Sequence, residues 1–205
     1  MTFYPNQPIP LDINHHRYCR ERKFPPYRHI PGFTPHPVKD PRGHSYKKEH
    51  KRSCNTTNLV LPPEKWQNNQ QYLYGVDLFN FSYWWEAHEA WEEDWCKSKG
   101  NHKKFLQGLI QICAAMIKQH VCQWRGVKKL SVRGCARLSE VESNHPFYMG
   151  ISLASLLHRL DLFFRNIIDH GQYNKPIDSS LLTPLPLIQL VFPKNVKQPT
   201  DTNHH

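Results

Sequence analysis

The sequence predicts an all-α protein: a compact antiparallel bundle of about five helices, flanked by extended proline-rich segments at both ends. Three observations carry this expectation. The 17 prolines all fall before Glu64 or after Asn174 except Pro146, and a helix interior excludes proline because it lacks an N–H and collides with the preceding turn. Within the proline-poor centre, apolar residues recur at helical spacing. The connections between these stretches are short, so neighbouring helices are expected to pack antiparallel.

The elements follow in chain order. Residues 1–63 read as a basic, proline-rich extension packing on the bundle, with Phe24, Tyr27, Ile30, Phe33 and Tyr46 as anchors among turn-forming Pro and Gly. Residues 64–171 form the helical domain. A first helix starts at Pro62-Pro63-Glu64 and runs through Trp66, Leu73, Val76, Asp77 and Asn80 to a tight turn at Phe81-Ser82. A second spans Tyr83 to Cys96 and stops at Lys97-Ser98-Lys99-Gly100, with Gly100 suited to the C-cap region. A third, from about His102 to His120, has Leu106, Leu109, Ile110, Cys113, Met116 and Ile117 on its apolar face and Gln107, Gln111, Ala114 and Lys118 on the opposite stripe. A fourth covers about Gln123 to Glu142, and a fifth Ile151 to His170, with Ser152 as N-cap. Residues 172–205 are extended again, with LLTPLPLIQLVFP hugging the surface and a frayed end beyond it.

Composition bounds the function classes. A chain of 205 residues suits one domain with a real core, and a mean hydropathy of -0.70 places it on the polar side of globular. Neither a signal peptide nor a membrane span is read in it, because the longest apolar stretch is interrupted by Gln107 and Gln111. Its six cysteines show no Cys-x-x-Cys pair; reduced thiols in a cytoplasmic protein are the expectation. The net charge of +10 is weighted to the extension, including KKEHKR at Lys47 to Arg52. Charge of this kind is more often a solvated surface than a nucleic-acid site, so a nucleic-acid partner is not expected from it.

The chemistry concentrates on the second helix. In WWEAHEAWEEDWC, a wheel at 100° per residue puts Trp84, Ala87, His88, Trp91 and Trp95 on one side, Glu92, Trp85 and Glu89 along the flank, and Glu86 and Glu93 further round. His88 and Glu92 are four apart, so the carboxylate can touch and orient the imidazole. HEAWE has the start of the zinc-protease pattern His-Glu-x-x-His, but Glu92 replaces its second histidine, so a metal needs ligands from elsewhere. His36, Asp40 and His44, recurring every fourth residue in a proline-rigidified loop, are the candidate donors. Two accounts stand side by side: core packing opposite a solvated acidic face with His88 as a satisfied interior histidine, or an acid-base or metal unit.

These residues also resemble a family. YGVDLFNFSYWWEAHEAWEEDW followed by FLQGLIQICAA is similar to the domain-of-unknown-function 309 family, whose signature is a Glu-Ala-His-Glu helix followed by a Phe-Leu-Gln-Gly-Leu-Ile-Gln helix. The likeness covers roughly Gln71 to Arg137, and PPYRHIPGFTPHPVKDPRGHSY looks like an extension carried by some members. It implies an all-helical bundle and a motif on Glu86, His88, Glu89, Glu92 and Trp95, then Gln107, Gly108 and Gln111, with no established activity. Ser82 stands where the family is expected to have its turn glycine.

The resulting expectation is a polar pocket between the second and third helices. His88, Glu89 and Glu92 supply acid-base groups, Glu86, Trp95, Gln107 and Gln111 bind a small polar ligand, and His36, Asp40, His44, His88 and Glu92 hold a divalent metal ion. The competing expectation is a non-enzymatic helical interaction module for a protein or a nucleic acid. No membrane partner is expected.

Overall fold

The computed structural model describes residues 16–46, 61–170 and 184–192. The basic run at Lys47 to Arg52, Cys54 and the tail after Phe192, with His204 and His205, lie outside the described residues. The helical domain contains α1 (Gln70–Asn80), α2 (Trp84–Lys97), α3 (Gly100–His120), α4 (Trp124–Glu142) and α5 (Leu153–His170). Each of α1 to α4 packs against the helix that follows it in sequence, as short connections require.

The first expected helix is two. A 3-10 helix occupies Pro63–Asn68, and the chain leaves helical geometry at Asn69 before α1 begins. The cause is local: the Asn69 side-chain oxygen accepts the Tyr72 N–H at 2.9 Å, which makes Asn69 the N-cap of a new helix rather than the interior of an old one. Nor is α1 amphipathic in the expected sense, since every residue from Tyr72 to Asn80 is buried. Its polar positions are covered by the chain's extended segments. Asp77 accepts the Tyr18 and Cys19 N–H groups at 2.8 and 2.9 Å and pairs with Arg17, while Asn80 exchanges two hydrogen bonds with the backbone of Ile188.

Two close crossings hold the helices. Gly75 on α1 lies beneath Trp91 of α2, where an added Cβ would fall 2.2 Å from the indole Nε1. Gly108 of α3 and Gly134 of α4 face one another, each placing its carbonyl 3.1 Å from where the other's Cβ would stand. Gly108 therefore serves the α3–α4 contact.

The turn between α1 and α2 is as sharp as the resemblance implied, although no glycine makes it. Ser82 sits at φ 65°, with its N–H bonded to the Phe79 carbonyl at 3.0 Å. Gly100, expected near the end of α2, instead opens α3 at φ 54°, and Ser98 caps α2. The expected start of the fifth helix at Ile151 is corrected too: Ile151–Ser152 pairs antiparallel with Phe147–Tyr148 in a small hairpin, and α5 begins at Leu153. Met149 and Gly150 make its turn at φ 45° and 79°, both positive, as a two-residue hairpin demands. The hairpin is pinned by the Tyr72 hydroxyl, which donates to the Met149 carbonyl at 2.8 Å, and by the Val191 N–H, which donates to that of Gly150.

Candidate functional site

Helix α2 divides its acidic residues between two environments. Trp84, Ala87, Ala90 and Trp91 face the core, as a 3.6-residue repeat dictates, but Glu86 is buried with them at 6% exposure. The wheel placed it further round, and the correction comes from the N-terminal segment, which folds over that flank. The His29 N–H donates to Glu86 Oε1 at 2.8 Å, and His44 Nε2 lies 3.3 Å from the same oxygen. Glu86 Oε2 is buried and has no hydrogen-bond partner among the described residues.

The segment arrives as a rigid strap. Its Tyr27 hydroxyl donates to the Pro35 carbonyl at 3.0 Å and accepts the His44 N–H at 3.2 Å. Its loop is tight at Gly43, where a Cβ would fall 2.2 Å from the Pro37 carbonyl oxygen. The His29 and His36 rings are 5.1 Å apart, and each meets the Trp85 indole edge-on. Burial, reinforced by His36, depresses the His29 pKa to about 4. Asp40 is occupied elsewhere: its carboxylate holds Arg42 at 2.9 Å, and that hydrogen bonding lowers its pKa to about 2.

On the open flank of α2 stand His88, Glu89 and Glu92, all half-buried. His88 Nδ1, itself buried, is 3.5 Å from Glu89 Oε1 and 4.0 Å from Glu92 Oε2 and has no hydrogen-bond partner among the described residues. One ligand atom from each residue lies within 4.8 Å of the other two, and among the described residues this is the group of His, Cys, Asp or Glu that could surround a metal ion. The expected pair of His88 and Glu92 is thus brought together, with Glu89 as the third member. His36, Asp40 and His44 are not: the strap does fold onto α2, but His44 is drawn to Glu86, two residues away on a helix and so on a different face.

The remaining members of the expected pocket are also dispersed. Trp95 lies two turns beyond His88, with its Nε1 buried and unbonded and Lys103 of α3 5.0 Å from the ring centroid. Gln107 and Gln111 are half-buried, and Gln111 Oε1 is buried without a hydrogen bond. Gln111 shares a helix face with Lys118, whose stem lies against Gly126 of α4. Among the described residues no hydrogen bond joins either glutamine to the His88 group. Sequence reading missed the structural role of Glu86 and of His29; the signal for both would have been a long-range partner, which spacing does not encode.

A mostly helical protein carrying a half-buried His/Glu cluster on one helix is the class that fold and site define. Residues 72–130, from α1 into α4 and including the whole of α2, match the family described as Domain of unknown function (DUF309), whose signature the sequence resembles. The match stops short of the strap. No curated protein and no solved structure matches the chain, and among the described residues no helix is long and apolar enough to cross a membrane.

Proposed function

We propose that His88, Glu89 and Glu92 bind a divalent metal ion, leaving open coordination positions toward solvent for a small polar ligand. The supporting observation is the mutual approach of three ligand atoms within 4.8 Å on one half-buried helix flank, with the buried His88 Nδ1 making no hydrogen bond among the described residues. Ligands at metal bonds of roughly 2.0–2.2 Å stand about 3–4 Å from each other, so small side-chain rotations close the set. An imidazole with two carboxylates suits zinc, manganese or iron. With three protein ligands and vacant positions, the reaction class would be metal-assisted hydrolysis, the ion lowering the pKa of a bound water. Glu89 and Glu92 then act as ligands, and only one released from the ion could serve as general base.

Elemental analysis of protein freed of its terminal histidines, together with melting scans in zinc and manganese, tests the reading. A stoichiometric ion and a metal-dependent rise in melting temperature that His88→Ala abolishes are expected. Absence of both, with the folded protein in metal excess, overturns it.

A further inference from the structure

The charges of the helical domain are segregated. Between Tyr83 and Asp94 there are five carboxylates and no Lys or Arg, whereas residues 95–139 contain no Asp or Glu at all. In that acid-free stretch lie Lys97, Lys99, Lys103, Lys104, Lys118, Arg125, Lys128, Lys129, Arg133 and Arg137. Some of these are used within the fold. Lys97 pairs with Glu93, Lys104 and Arg137 both meet Glu140, Lys118 donates to Gln123, and Lys103 lies over Trp95.

Arg125, Lys128, Lys129 and Arg133 behave differently. All four are exposed on α4 and make no ion pair or side-chain hydrogen bond among the described residues. The apolar face of α4, Val127, Leu138 and Val141 with the small residues Ser131 and Gly134, is spent on the core, so these cations stand on the outward face of a helix that is already packed. Arg125, Lys129 and Arg133 repeat every four residues and so form a nearly straight row at intervals of about 6 Å, with Lys128 beside it. The amino end of α4, at Arg125, lacks a side-chain cap, and the helix dipole adds positive potential there.

We propose that this outer face of α4 is an interaction surface for the phosphate backbone of nucleic acid, bound without base reading. A linear array of phosphates is the partner whose charges repeat along a line as these do, and each neutralised phosphate releases a condensed counterion. A membrane surface is disfavoured because a helix that lies on lipid presents Trp, Phe or Leu to the acyl boundary, and the residue exposed within this row is Val132. Single-strand recognition is disfavoured because no aromatic side chain interrupts the row to stack a base. The surface is separate from the His88 group and independent of any metal there.

The experiment is fluorescence anisotropy of a labelled random 20-base-pair duplex titrated with the full chain at several salt concentrations. Four phosphate contacts give a log–log salt slope of about -3.6, which is a loss of affinity of roughly a hundredfold between 50 and 200 mM salt. The variant R125Q/K128Q/K129Q/R133Q, with its fold checked by circular dichroism, is expected to lose at least tenfold in affinity at low salt and to flatten the slope by about 3.6. A second variant neutralising Lys47, Lys48, Lys51 and Arg52 separates the extension from α4. The proposal is overturned if the duplex is not bound at 50 mM salt, or if the α4 variant binds with unchanged slope while the extension variant does not. Binding of phosphatidylserine vesicles in preference to the duplex overturns it as well.

Discussion

The two flanks of α2 carry the same residue types and use them for opposite purposes. On one flank Glu86 is buried beneath the strap, its Oε1 shared by the His29 N–H and the His44 imidazole. On the other, His88, Glu89 and Glu92 are half-exposed, with His88 Nδ1 free of hydrogen bonds. A carboxylate held by two donors in the interior organises structure. The half-buried histidine among carboxylates leaves its Nδ1 uncommitted among the described residues. Spacing along the helix does not distinguish the two; what lies over each flank does.

The largest expected effect falls on the buried flank. Glu86→Ala leaves the His29 N–H and the His44 ring without their acceptor and should destabilise by about 3 kcal/mol in urea unfolding. A cost within about 0.5 kcal/mol, the range of an ordinary surface change, would erase the contrast. Next comes Asp77→Ala, which strips the strap of the acceptor for two of its N–H groups and should cost about 2 kcal/mol by the same measurement.

The pH dependence of stability sharpens the comparison further. His29, with a folded pKa of about 4, and His120, pushed by burial to about 3, are both depressed from 6.5. The unfolded chain therefore binds protons first, and stability should be intact above pH 6.5 and fall as the pH drops from there toward 4. Asp77 opposes this at the acid end, because burial raises its pKa above 3.8 and its protonation favours the folded state. Replacing His29 by Gln should reduce the decline seen in melting scans between pH 6.5 and 4; an unaltered decline would remove His29 from the account. The smallest effect is expected on the open flank, where His88→Ala should change metal-free stability by less than about 0.5 kcal/mol while removing any metal-induced rise in melting temperature.

Much of the fold was legible because it rests on local signals. The proline-poor centre, the 3.6-residue repeat of Leu106, Leu109, Cys113 and Met116, and the short connections together give the helices and their neighbours. Local chemistry also explains two failures. Asn69 looked like one more residue in a helix until its side chain was seen to cap the next one, and Ile151 continues the apolar repeat of α5 although it pairs with Tyr148. The site was half legible. His88 and Glu92 are neighbours because a helix makes them so. The destination of His44 depends on forty residues of intervening chain, and proline spacing in the strap carries no information about which glutamate it meets.

Asp77 and Asn80 lie three residues apart on α1, and between them they fasten the chain's early segment at Tyr18–Cys19 and its late segment at Ile188. The portion matching the family, 72–130, thus contains two buried polar side chains that hydrogen-bond to segments outside it. Trimming the protein to its central helices would take these hydrogen bonds away from a buried carboxylate and a buried amide. A crystallisation or binding fragment cut at the family's boundaries would forfeit these contacts.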